Sequence, residues 1–174
     1  MPIELISPQP KDAYFWLQVR KQKSTQENNP VGNLSEKKLR EQIFESNRDL
    51  RFKQSVHRFY IQTAEKEFAG VISLREINWE SGVCELGYLI AEKFQNKGIA
   101  TQAVRLLMQK SFAAGIRKIK ATTYVHNVAS YKVLEKNGFV LEGTLKNEIL
   151  IKGKIQDLYS WAAFSDIKED IETR

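Results

Sequence analysis

The stretch that most constrains this chain is residues 88–108, YLIAEKFQNKGIATQAVRLLM. An apolar run from Tyr88 to Ala91 reads as a strand. A short polar segment follows, and Gly98, Ile99 and Ala100 then open an amphipathic helical pattern. With another strand behind the helix, this is a βαβ step, which supplies a parallel strand pair. It also presents the free N–H groups and positive dipole end of a helical first turn, a ready cradle for an anion.

The surrounding sequence supplies the rest of a fold. "IELISP" is a short first strand ended by proline, and residues 10–22 carry Tyr14, Leu17 and Val19 in an amphipathic helical spacing. "KSTQENNPVGN" is a loop by composition. Ser35 is placed as an N-cap for a helix reaching about residue 48, with Leu39, Ile43 and Phe44 facing inward. "VHRFYIQTA", "EKEFAGVISLREIN" and "ESGVCELGYLIA" alternate and are separated by tight turns, as consecutive antiparallel strands are. After the helix at 98–114, closed by Gly115, come the strand "IRKIKATTYV", a short helix "NVASYKVLEKN" and a final pair of strands. The order is two helices, a meander, a βαβ step and a hairpin, which makes an α+β (mixed α/β) domain spanning 1–174.

Composition narrows the function. Apolar residues make up 42% and charged residues 28%, the balance of a folded chain, and no apolar run is long enough for a bilayer. The opening residues lack a signal peptide's basic end and greasy centre, so a cytoplasmic location is expected. Cys84 is the single cysteine, which excludes an internal disulfide and a cysteine-rich metal site; no metal is expected, and Cys84 reads as a small core residue. The net charge of +6 is dispersed, with no run of five Lys/Arg, so nucleic-acid binding is not expected.

Spacing rejects the commoner phosphate loops. A nucleotide-triphosphate loop needs two glycines flanking four residues, then Lys and Ser/Thr, and the dinucleotide fingerprint needs three glycines. Here there is Gln95-x-x-Gly98-x-Ala100, in which Gly98 and Ala100 lack bulk and Lys97 adds a cation. Gly98 is also consistent with mere relief of a tight turn. Downstream, TYVHNVASYKVLEKNGFVLEG places Asn127, Ser130 and Leu134 on one helical face. Glu-Leu-Gly-Tyr, Gln-x-x-Gly-x-Ala and Asn-x-x-Ser…Glu-Lys-x-Gly-Phe, in that order, resemble the GNAT superfamily of acetyl-CoA-dependent N-acetyltransferases. The resemblance is closer to the branch of ribosomal-protein N-terminal acetyltransferases of the RimJ/RimL type, and it is strongest over residues 67–164.

The resemblance implies a mixed, mostly antiparallel twisted sheet of about seven strands flanked by about four helices. It implies acetyl-CoA as co-substrate. The strand backbone at Leu89, Ile90 and Ala91, followed by Phe94, would meet the pantetheine arm. Gln95, Asn96, Lys97, Gly98, Ile99, Ala100 and Thr101 would hold the pyrophosphate. Asn127 would contact the pantetheine, and Ser130 would lie at the thioester sulfur. Many members carry a proton-donating tyrosine four residues beyond the Ser130 position, where this chain has Leu134. In the RimJ/RimL-like branch the serine is the proposed acid, and Tyr131 is a second candidate here. A homodimer is common in that branch.

Residue types leave the base open. Glu85, mid-strand among apolar neighbours, is the first candidate, acting through water or orienting the amine; a cross-strand pair with Arg75 is the alternative. Glu76 and His126 are others. An N-terminal α-amine, with a pKa of about 7.7–8.0, is roughly a tenth neutral at pH 7, whereas lysine at about 10.4 is almost wholly charged. A site without a strong base therefore suits the α-amine of a protein or peptide. A small-molecule amine (amino acid, polyamine or antibiotic) and a non-catalytic CoA-binding regulatory module are the alternatives.

Overall fold

The computed structural model describes residues 1–28, 30, 34–46 and 55–166. Its strands are β1 (Ile3–Ile6), β2 (His57–Thr63), β3 (Phe68–Asn78), β4 (Val83–Ile90), β5 (Lys118–Tyr124), β6 (Val140–Ile151) and β7 (Lys154–Phe164). They form one sheet in the order β1-β2-β3-β4-β5-β7-β6. Every neighbouring pair is antiparallel except β4 with β5. The helices are α1 (Ala13–Lys21), α2 (Lys23–Asn28), α3 (Glu36–Ser46), α4 (Ile99–Ala113) and α5 (Val128–Glu135). This is the mixed, mostly antiparallel architecture that the sequence implied.

Strand alternation sorts the side chains onto two faces. On one, Ile61, Ile72, Leu74, Leu86, Ile90 and Ile119 pack with Ile99, Val104 and Leu107 of α4 and Leu134 of α5. On the other, Tyr60 and Val71 are covered by Ala13, Trp16 and Leu17 of α1 and by Leu39 and Ile43 of α3. Each fully buried aliphatic side chain contributes about 1.5–3 kcal/mol. The Ser35 cap forms, its hydroxyl accepting from Lys38 N at 3.2 Å.

The helix boundaries have local causes. Gly98 begins α4 from a left-handed conformation, φ +75°. At the other end Gly115 N donates to Phe112 O and Ile116 N to Ser111 O, at 3.0 and 3.1 Å, which closes the last turn around a glycine at φ +95°.

Two expectations are corrected. Phe44 is 63% exposed and Tyr14 52% exposed, because the sheet lies under Leu39, Ile43, Trp16 and Leu17 instead. The segment read wholly as a loop from residue 23 contains α2, whose polar sequence is tied down by tertiary hydrogen bonds. The expected end of α3 near residue 48 lies outside the described residues.

Candidate functional site

The parallel joint between β4 and β5 is short. Val83, Cys84 and Glu85 pair with Lys118, Ile119 and Lys120, and no pairing continues beyond them although both strands do. The strands part at this point, and a cleft of about 710 Å³ occupies the gap. It is lined by the C-terminal half of β4, the residue 94–101 loop, β5, α5 and α2.

The ladder shows which β4 amides face the gap. Ala91 N donates to Ala69 O at 2.9 Å, and its carbonyl accepts from Phe94 N at 2.8 Å. Hydrogen-bonded pairs recur every second residue in an antiparallel ladder, so Leu89 also turns its backbone toward β3. The amides of Tyr88 and Ile90 therefore face the gap. Leu89 lines the cleft while its backbone turns to β3, and Ala91, with its N–H and carbonyl both taken, is not among the lining residues.

The loop is held from behind. Gln95 Nε2 donates to Ile90 O at 3.1 Å and to Ser24 Oγ at 3.0 Å. Ser24 N donates to Glu92 Oε1, and Glu92 N to Gln22 Oε1, each at 2.9 Å. The Ser24 bonds hold the Glu92 carboxyl below its usual range. Asn96 and Gly98 both have positive φ, 58° and 75°. The first amide of α4 to find a helical acceptor is Gln102 N, on Gly98 O at 3.0 Å. The amides from Gly98 to Thr101 precede it and point toward the cleft mouth as a helix N-terminus does. Ile99 contributes backbone only, since its side chain is buried in the core.

Lys97 lies outside the cleft proper. It borders a neighbouring basin of about 580 Å³ together with Arg105 and Lys136, and Gly98, Thr101 and Lys136 border both cavities. Three cations around an open basin beside a helix N-terminus could hold further phosphate charge. Arg105 and Lys136 were not singled out from the sequence; Arg105 stands one helical turn beyond Thr101.

At the other wall, Asn127 caps α5, its side-chain oxygen accepting from Ser130 N at 3.1 Å. Ser130 Oγ lies 2.9 Å from Tyr88 Oη, which also donates to Ser130 O at 3.0 Å. The Ser130 hydroxyl is thus held by a phenol reaching across from β4. Burial pushes Tyr88 up to about 12, partly offset by the Ser130 bond. Leu134 is wholly buried, and its side chain carries no proton to donate. Tyr131 is not brought to the cleft: it packs among Trp161, ring centroids 6.0 Å apart, and Tyr159 at 6.3 Å.

Glu85 does line the cleft, joined to Arg75 Nη2 at 2.8 Å, so the cross-strand pair forms. Glu76 and His126 do not line it, and His126 stacks on Tyr124. Cys84 is buried, its thiol pushed up to about 11 by desolvation. Among the described residues, no three His, Cys, Asp or Glu are placed to hold a metal ion, and no helix is long and apolar enough to cross a membrane.

Known proteins resemble this chain in sequence and fold. The family described as "Acetyltransferase (GNAT) domain" matches residues 3–140. The spermidine N(1)-acetyltransferase of Vibrio cholerae is 33% identical over 102 residues, 58% of this chain and 59% of that protein. The ribosomal-protein-serine acetyltransferase of Escherichia coli is 33% identical over 103 residues, 59% of this chain and 58% of that protein. The match thus spans less than two thirds of either relative. The structure of spermidine N-acetyltransferase from Vibrio cholerae in complex with CoA and spermine superposes with a TM-score of 0.82 at 25% identity, covering 93% of this chain and 95% of that one. A match over most of the chain, together with the parted strands and the glycine-led α4, makes this protein a member of the GNAT acetyltransferase family.

Proposed function

We propose that this chain transfers an acetyl group from acetyl-CoA to the N-terminal α-amine of a protein or peptide, by direct attack with both substrates bound. The amides from Gly98 to Thr101 take the pyrophosphate, with Lys97, Arg105 and Lys136 beside it. The pantetheine lies in the gap between β4 and β5, past Asn127. The free amides of Tyr88 and Ile90 offer donors to the carbonyl oxygen as it gains charge. Ser130, oriented by Tyr88, donates a hydrogen bond to the departing thiolate. A thiol of pKa about 8.5 leaves without full protonation, so a hydrogen bond suffices there.

The choice of acceptor rests on one observation, the 2.8 Å pair between Glu85 and Arg75. Among the described residues, the one carboxylate lining the cleft already has a guanidinium partner, and no imidazole or unpaired carboxylate stands beside it. Such a site favours an amine that is substantially neutral on arrival. The test is acetyl-CoA turnover at pH 7.5 against peptides with free N-termini, N-blocked lysine peptides, spermidine and an aminoglycoside. Free N-terminal peptides are expected to show a kcat/KM at least about tenfold above the rest. Preference for spermidine or blocked lysine peptides overturns the α-amine reading. Thermal stabilisation by CoA with no turnover of any amine favours a binding module.

A further inference from the structure

The face of the sheet beneath α1 gathers cationic groups that acetyl transfer itself does not use. Arg58 stands opposite Ser73 in the β2–β3 register, Arg75 is two residues further along β3, and Arg75 stands opposite Glu85. Directly opposed residues and residues two apart share a face. Arg58 and Arg75 are therefore on one face, that of Tyr60, which α1 and α3 cover.

The last turn of α1 adds Arg20, one helical turn beyond Trp16. The Arg58 guanidinium carbon lies 5.7 Å from the Trp16 ring centroid, which brings Arg58 against the same helix. Arg20 Nε and Nη1, Trp16 Nε1 and Tyr60 Oη are buried and have no hydrogen-bond partner among the described residues. All four can donate. Desolvation, then Arg75 and Arg58, hold Arg20 below the usual arginine value, and desolvation, then Arg75, does the same for Arg58 against the opposing pull of Glu45. The facing carboxylates among the described residues are Glu85, paired with Arg75, Glu45, which acts on Arg58, and Asp12, which acts on Tyr60.

The cluster opens to the cleft through Arg75. A Cβ at Gly87 would come within 3.3 Å of Arg75 Nη2, so the absence of a side chain there lets the guanidinium lie along β4. From Glu85 to Gly87 is the direction in which β4 leaves β5. Buried, unpartnered guanidinium and indole N–H groups are costly unless an acceptor meets them, and a carboxylate meets a guanidinium fork best.

We propose that Arg20, Arg58 and Arg75 form an anion site that receives a carboxylate carried by the acceptor, close to the amine that is acetylated. This rests on the α-amine reading and narrows it. The carboxylate comes from an acidic side chain near a peptide's N-terminus or from the α-carboxylate of a free amino acid. A polycation such as spermidine would meet three like charges.

The test compares kcat/KM for C-terminally amidated peptides beginning Ala-Glu and Ala-Gln, and for alanine against alaninamide. The site requires the acidic member of at least one pair to be favoured about tenfold or more, and the pair that shows it identifies the source. In Arg20→Gln that preference should fall to about twofold or less, while KM for acetyl-CoA stays within about twofold of wild type. Equal rates for acid and amide in both pairs with the unaltered protein overturn the inference even if Arg20→Gln fails to fold. Turnover of α-amine peptides without acidic preference sinks only the anion site. Turnover of spermidine in place of α-amines sinks the α-amine reading itself.

Discussion

Replacing Tyr88 by Phe tests whether the phenol acts through Ser130. The ring and its packing stay, and only the hydroxyl at 2.9 Å from Ser130 Oγ and 3.0 Å from Ser130 O is lost. In the arrangement that leaves the Ser130 proton for the thiolate, the phenol donates a single bond, so the stability lost is that of one net hydrogen bond, about 1 kcal/mol. For a chain of this length that lowers Tm by about 2–4 °C. The larger effect falls on rate. Freed from the phenol, the Ser130 side chain can distribute over about three staggered rotamers, of which one faces the cleft. With the loss of polarisation added, kcat should fall about 5–20-fold, equal to about 1–1.8 kcal/mol.

Tyr88, pushed up to about 12, stays neutral across any practical assay range. Handing its proton to a thiolate of pKa about 8.5 would run uphill by about 3.5 units, close to 5 kcal/mol. Tyr88 therefore positions Ser130 and does not supply the proton, so the pH profile of kcat should be unchanged in the variant. The assay is release of CoA thiol, with kcat and the KM for acetyl-CoA measured for Tyr88→Phe, Ser130→Ala and the double variant. If the coupling is as described, the double variant matches Ser130→Ala. Independent losses that multiply, or a wild-type kcat in Tyr88→Phe, would refute it.

Two further outcomes follow from single residues. Gly98→Ala should lower stability by about 1 kcal/mol through its φ of +75° alone, since a Cβ there meets nothing within 4 Å; Gly98→Glu should in addition weaken CoA binding, read by titration calorimetry, and unchanged affinity would remove the loop from the site. Cys84, with its thiol raised from 9.0 to about 11, should resist iodoacetamide in the folded protein at pH 8 and react in urea, as followed by mass spectrometry. Because the folded value is the higher one, the stability this thiol contributes is full below pH 9 and is lost as pH rises toward 11.

Features set by local spacing were legible before any fold was known. The strand–glycine–helix passage, Ser35 as a cap and the succession of strands and helices along the chain all depend on residues a few positions apart. What stayed hidden depends on distant segments meeting. Tyr88 and Ser130 are 42 residues apart, and nothing in either segment tells that the phenol reaches the hydroxyl. Arg20, Arg58 and Arg75 come together only when α1 settles on the sheet. The backbone direction at Leu89 follows from the β3 register, which side-chain alternation does not report. α2 escaped because its helix rests on bonds from Ser24 to Glu92 and Gln95, not on apolar periodicity. Tyr131 looked available by sequence position, but Trp161 and Tyr159 occupy it.

The short joint between β4 and β5 has a mechanical consequence. It divides the strand pairing into two antiparallel blocks, β1 to β4 and β5 with β7 and β6, joined by three residue pairs, the bonds from Arg117 N and Lys118 N to Gly82 O, the Tyr88–Ser130 bonds and the packing of α4. An extended ligand lying in the gap would act as an inserted strand, giving hydrogen-bond partners to backbone groups that the partner strand leaves idle. At a concentration about 100 times its dissociation constant, such a ligand adds about 2.7 kcal/mol to stability. The angle between the blocks, and with it the separation of Ser130 from Glu85, would then be set by the substrate that completes the sheet.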